Sequence, residues 1–290
     1  MRSQFNTAFD DIVSLENLLA AWEEFVRGKR QKRDVREFSF RLMDHLSLLH
    51  EDLAAKAYRH GGYKAFSIYD PKPRSIHKAS VRDRVLHHAL YRLLFPFFDR
   101  TFVSTSFSCR LGKGTHKALD CFRIFARRVS RNHTRTCWVL KMDITKFFAS
   151  IDQDVLLEIL ATYVPDQRTL QLLEEVIWSF HSTRPGVGLS LGNLTSQLLV
   201  NVYMNDFDQF VKHTLRATRS LRYADDFVLL SDDRSWLERQ IVPIQEFLRE
   251  RLHLSLHPDK IFSPYRGLGR GFPRMGSLPP PPRPADHNQA

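Results

Sequence analysis

Three carboxylates dominate the chemistry this chain could perform. Asp225 and Asp226 end the tetrapeptide Tyr223-Ala224-Asp225-Asp226, which lies between Ser220-Leu221-Arg222 and the apolar run Phe227-Val228-Leu229-Leu230. Short runs on both sides predict a β-hairpin with the acids at its tip. Aspartates in turns commonly serve local backbone hydrogen bonding. The strand that follows is wholly apolar, however, which predicts a buried hairpin, and adjacent charges there are costly unless a cation holds them. A third acid, Asp143, closes the β-prone run Trp138-Val139-Leu140-Lys141-Met142. Carboxylates converging from separate elements are what two-metal phosphoryl transfer requires, with two Mg²⁺ ions roughly 3.5 to 4 Å apart. One ion would activate an attacking hydroxyl and the other would stabilise the leaving oxygen.

The rest of the chain must position these acids and supply a partner. Its 290 residues, 43% of them hydrophobic, are enough for one large domain or two smaller ones with a real core. Forty-three Lys and Arg against 32 Asp and Glu give a net charge of +11, which favours a polyanion and places nucleic acid first among candidate partners. Cys109, Cys121 and Cys137 are odd in number and lack metal-type spacing, so they read as reduced thiols. No run approaches the roughly 20 apolar residues of a membrane span, and a cytoplasmic location without membrane contact is expected.

Residues 1–60 are helical in pattern, with Leu15, Leu18, Leu19, Trp22 and Phe25 on one face and Leu42, Leu46, Leu49 and Leu53 on another. The basic connection Arg27–Arg33 between them is a solvated face or a phosphate contact. A small hairpin is predicted over Phe66–Ile76 and a helix from Val81 that ends near Pro96. His87 and His88 are adjacent and must point apart, which makes them poor joint ligands. The loop Ser108–His116 holds its lysine between the glycines, unlike a nucleotide P-loop, and reads as a backbone cradle for a nucleic-acid phosphate. Two helices broken near Pro165 follow Asp143. The glycine-rich loop Pro185–Asn193 then leads into an apolar helix from Leu194 to about Leu215. Beyond the hairpin, a helix over 233–252 and a strand over Leu252–His257 are expected. Together these elements predict an α+β fold built on an antiparallel sheet flanked by helices.

In this order the blocks resemble reverse transcriptases of bacterial retroelements over about residues 20–262. The resemblance implies right-hand polymerase fingers and palm: an N-terminal helical extension over 1–60, fingers over 61–135 and palm over 136–262. It implies that Asp143, the backbone of Ile144, and Asp225 hold two Mg²⁺, with Mn²⁺ as a substitute, and that Asp226 completes the acidic cluster. Phe148, five residues after Asp143, resembles the steric gate that excludes a ribose 2′-OH and selects dNTPs; a buried core phenylalanine is the other reading. Lys72 and Arg74 resemble the cations that grip the incoming triphosphate. Arg110, Lys113 and His116 fall in the template-contacting block, and Lys260 resembles the lysine that protonates departing pyrophosphate. The implied partners are an RNA template, a DNA or RNA primer and dNTPs.

A subgroup is suggested by Leu191-Gly192-Asn193-Leu194-Thr195-Ser196-Gln197, where most relatives carry glutamine before the glycine and end the block Ser-Pro. Leu191 and Gln197, with Arg82–Leu90, look like the enzymes of diversity-generating retroelements. That family implies error-prone copying of a template-repeat RNA and a small basic accessory protein. A dNTP pocket including Leu191, Gly192 and Gln197 follows from the same likeness. Residues 263–290 are rich in Pro and Gly, cannot build a core, and stand where relatives carry a primer grip and thumb, so a truncated or absent thumb is expected. Codons compatible with Gly271–Pro284, read one base out of phase, can spell a grip-like segment, which suggests a frameshift. The alternatives are a retron-like or defence-associated reverse transcriptase, or a truncated, inactive nucleic-acid-binding relic.

Overall fold

The computed structural model describes residues 3–69, 73–258 and 261–265. Two compact units are present. The first comprises the chain up to Arg100 together with Gln153–Leu199, and the second comprises Thr101–Asp152 with the described residues from Val200 onward.

In the first unit the leucine periodicity becomes helices α1 (Phe9–Val13), α2 (Leu15–Val26), α3 (Arg33–Ser39) and α4 (Leu42–Ala54). Leu18, Trp22, Phe25, Leu46, Leu49 and Leu53 are buried as their spacing predicts, whereas Leu19 faces solvent. Ser14 caps α2 by accepting from the Asn17 N–H at 3.1 Å. The predicted hairpin pairs β1 (Lys64–Tyr69) with β2 (Pro73–Lys78) in antiparallel register. Helix α5 (Val81–Asp99) does not stop at Pro96 but runs one turn further. Proline removes a single intrahelical bond there, and burial of Phe95 and Phe98 holds the last turn in place. Helices α8 (Gln153–Ala161) and α9 (Gln167–Trp178) flank Pro165 as expected.

The second unit is built on a four-stranded antiparallel sheet in the order β4-β5-β3-β6, with β3 at Cys137–Met142, β4 at Ser220–Tyr223, β5 at Asp226–Ser231 and β6 at Ile261–Tyr265. One face buries Cys137, Val139, Leu221, Tyr223, Val228 and Leu230 against Phe122, Phe125 and Ala126 of α6 (Thr115–Val129). On the other face Phe227 meets Phe207 of α10 (Leu194–Gln209) at 5.0 Å between ring centroids. Phe247 of α11 (Arg234–Leu252) stacks on Phe210 of the π-helical turn Phe210–Thr214 that follows α10. The short helix α7 (Phe147–Ser150) completes the unit.

The strand expected over Leu252–His257 is shortened to one bridge, Ile144 with Leu256. Leu252 belongs to α11, whose end is closed by left-handed His253 (φ +49°) and by the Leu254 N–H donating to the Leu248 carbonyl. A helix cap and a strand cannot share residues 252–254, and the next strand among the described residues is β6.

Candidate active site

The hairpin separates the two adjacent acids. Tyr223 pairs with Asp226, which leaves Ala224-Asp225 as a two-residue turn. Ala224 adopts the left-handed conformation (φ +56°) that such turns demand. Asp225 therefore occupies the tip, whereas Asp226 is the first residue of β5.

Asp143 follows directly on β3, where Met142 pairs with Phe227 of β5. Continuing that register by one residue sets Asp143 across from Asp226, and like charges in that relation repel. Lys141 answers the repulsion. It lies two residues before Asp143, on the same face of the strand, and its Nζ is 2.9 Å from Asp226 Oδ1.

The carboxyl groups of Asp143 and Asp225 are close neighbours. Partial burial, followed by the neighbouring charge of Asp143, pushes the Asp225 carboxyl up to about 7. Asp143 is also raised, first by burial and then by Asp226, against the opposing pull of Lys141, the Ile144 N–H and His257. Burial and mutual repulsion disfavour ionising both carboxyls at once.

A divalent cation, where one bound, would offset the charge of both carboxylates. The backbone fits as well. The Thr145 N–H donates to the Ser255 carbonyl and the His257 N–H to the Asp143 carbonyl, so the Ile144 carbonyl takes no part in that ladder. Among the described residues no three His, Cys, Asp or Glu side chains form a ready-made ligand set. Asp143, Asp225 and the Ile144 carbonyl are the groups able to hold a cation, with Asp226 engaged by Lys141.

The remaining expected residues fall in several places. Phe148 is half-exposed beside Phe147, with centroids 5.7 Å apart, and it is Phe147 that is buried. Arg110 donates to the Val103 and Ser106 carbonyls and Lys113 to the Ser104 carbonyl, while His116 is exposed on α6. In the first unit Arg74 is half-exposed on β2. The Leu191 carbonyl accepts from the His77 N–H at 2.9 Å, and Asn193 Nδ2 donates to the His77 carbonyl, so β2 and the glycine-rich loop are joined through their backbones. Gly192 has φ +112°, and Gln197 is half-buried on α10. Lys72, Lys260 and residues 266–290 lie outside the described residues; the first three residues of the tail expected over 263–290 instead belong to β6.

Sequence reasoning passed over two ion pairs. Lys141 carries a signal, its two-residue offset from Asp143 in a strand. Arg222 carries one too, because a cation between Leu221 and Tyr223 in a strand implies a buried partner; that partner is Asp208.

An antiparallel sheet bearing an acidic hairpin beside an acid-terminated strand, within a basic chain, defines a palm-type nucleic-acid polymerase. The chain belongs to the reverse transcriptase (RNA-dependent DNA polymerase) family, whose sequence pattern matches residues 21–264. Protein YkfC of Escherichia coli K12 is 24% identical over 81% of this chain and 71% of its own length. The group II intron-encoded protein LtrA of Lactococcus lactis is 24% identical over 48% of this chain, which spans only 23% of LtrA. In fold the chain resembles an apo telomerase from Candida tropicalis truncated from its C-terminal domain. The TM-score is 0.52 with 12% identity, over 73% of this chain and 51% of that one. No helix among the described residues is long and apolar enough to cross a membrane.

Proposed function

We infer that this protein extends a primer with dNTPs on an RNA template. The observation that carries the reading is the neighbouring Asp143–Asp225 pair, one acid directly after β3 and the other at the hairpin tip, both partly out of water. Such a pair is expensive to keep unless a ligand uses it. Asp143, Asp225 and the Ile144 carbonyl would hold Mg²⁺, or Mn²⁺ in its place. Bound ions would supply Lewis acidity for the primer 3′-hydroxyl and the leaving pyrophosphate. Asp226 adds negative charge to the site, and Lys141 limits its repulsion of Asp143.

Phe148 lies five residues after Asp143, on α7, and its half-exposed ring supports a role in meeting the sugar of a nucleotide and excluding a 2′-OH. Arg74, with Lys72 and Lys260, is assigned to the triphosphate and its departing pyrophosphate. Leu191, Gly192 and Gln197 are assigned to the nascent pair, and Arg110, Lys113 and His116 to the template. The division into an N-terminal extension, fingers and palm is retained with these roles.

The finer reading is a diversity-generating retroelement enzyme, supported by Leu191 and Gln197 in the block Leu191–Gln197. A small basic accessory protein would then assist it. A group II intron-type reverse transcriptase is the second reading, favoured by the likeness to LtrA.

The test is Mg²⁺-dependent dNTP incorporation on a primed RNA template. Asp225→Asn is expected to lose activity by about a thousandfold or more, the scale of removing one preorganised electrostatic group. Equal incorporation by both proteins would remove the mechanism. Leu191→Gln is expected to lower misincorporation opposite template adenine, because a polar side chain restores hydrogen bonding near the pair. An unchanged error spectrum would favour the group II reading.

A further inference from the structure

The second unit holds an ion pair that the acidic site does not use directly. Arg222 and Asp208 have side chains only 2% and 5% exposed. Their contact is bidentate, with Arg222 Nε and Nη2 each donating to Asp208 at 2.7 Å. Arg222 Nη2 also reaches Ser106 Oγ at 3.1 Å and Asn201 Oδ1 at 3.2 Å. The remaining arm is the informative one. Nη1 donates at 3.0 Å to the carbonyl of Ala224, the left-handed residue of the hairpin turn.

The sequence builds this arrangement economically. Arg222 alternates with Leu221 and Tyr223, whose side chains enter the core against α6, so its own points to the opposite face of the sheet. There α10 presents Asn201, Asn205 and Asp208 at helical spacing, all three buried. Asn201 Nδ2 is itself fixed by the Ser108 carbonyl at 2.9 Å. A buried ion pair of this kind commonly adds no stability over a well-packed apolar pair, so its presence calls for another reason.

We propose that Arg222, locked by Asp208, is a positioning residue for Asp225: by holding the Ala224 carbonyl it fixes the strained turn that sets the Asp225 carboxylate against Asp143. The inference deepens the polymerase reading above and rests on it for its kinetic consequence. Its structural content stands apart, because the rigidity of the turn can be measured without turnover.

The decisive variant replaces the pair by apolar residues of similar size, Arg222→Met with Asp208→Leu. Its Tm is expected to equal or exceed that of the natural protein. Amide hydrogen exchange in a peptide spanning residues 223–227 should accelerate tenfold or more, as expected of a local opening, while exchange in β3 is unchanged. On a primed RNA template kcat should fall by about 10- to 100-fold, the loss expected of a reacting group misplaced by about an ångström, with KM for dNTP within about twofold. Natural exchange at residues 223–227 would overturn the proposal, as would a rate loss that tracks a lowered Tm with exchange raised across the whole sheet. If the double variant does not fold, Arg222→Lys, which keeps the charge but loses the fork, is read by the same exchange measurement. An inactive natural protein would defeat the polymerase reading alone, because the exchange result still decides the role of Arg222.

Discussion

Lys141 Nζ lies 2.9 Å from Asp226 Oδ1, on the sheet face that also carries Asp143. The site therefore contains its own counter-charge, placed by strand alternation alone. The raised carboxyls of Asp143 and Asp225 are where an external cation's charge would be met.

Removing that cation should make the site hungrier for metal. Lys141→Met removes the cation 2.9 Å from Asp226 and beside Asp143, at a cost of about 2–4 kcal/mol given that both partners are mostly buried. Without divalent ions its Tm is expected to fall, and Mg²⁺ or Mn²⁺ should then restore more stability than in the natural protein. A metal-induced Tm shift no larger than the natural one would show that Lys141 does not compete with a cation there.

Asp225 should weaken the metal-free fold as pH rises. Its carboxyl is pushed up to about 7, above the ordinary 3.8, so between these values the native state binds a proton that the unfolded chain has released. Stability from this group is complete below about pH 4, declines up to about pH 7 and is flat beyond. Asp225→Asn removes the decline, so in EDTA its Tm advantage over the natural protein is expected to be near zero at pH 4 and largest at pH 8. A constant offset across that range would contradict the assignment.

His87 contributes the opposite slope. It is buried between Thr195 Oγ1 at 2.5 Å and His60 Nε2 at 3.1 Å, and burial, then the neighbouring His60, brings it down to about 3 from 6.5. The unfolded chain gains a proton below pH 6.5 that the native ring refuses, so this stability is present above 6.5 and lost progressively towards 3. His87→Gln is expected to flatten the fall in Tm between pH 6.5 and 4, whatever its effect at neutral pH.

Gly192 is fixed by its neighbours as well as by its backbone. An added Cβ would stand 2.7 Å from Ile76 Cγ2, at φ +112°. Gly192→Ala should cost about 2–4 kcal/mol in denaturant unfolding, combining overpacking and backbone strain. A second change, Ile76→Val or Ile76→Ala, should recover the packing part and leave the strain; full recovery would show that φ contributes nothing.

How much of this was legible beforehand depends on the range of the interaction. The helices α2, α4, α9 and α11, the hairpins and the acids of the site follow from local signals: apolar period, turn residues, and an acid closing a β-prone run. Those signals act over a few residues and need no partner. Errors arose where a neighbour decided the outcome. Pro96 did not end α5 because buried Phe95 and Phe98 held the final turn, and Leu252–His257 did not form a strand because the cap of α11 claimed it first.

The sequence by itself singled out the three carboxylates, set them near the ends of strands, and carried the reverse transcriptase pattern over residues 21–264. Only the tertiary structure decided how they are held. Asp225 meets Asp143, Asp226 turns to Lys141, and Arg222 reaches back to Ala224 while gripping Asp208 fourteen residues earlier. Charges in a low-dielectric interior must find partners wherever the fold brings them, and strand register and helix face, rather than sequence proximity, set those meetings.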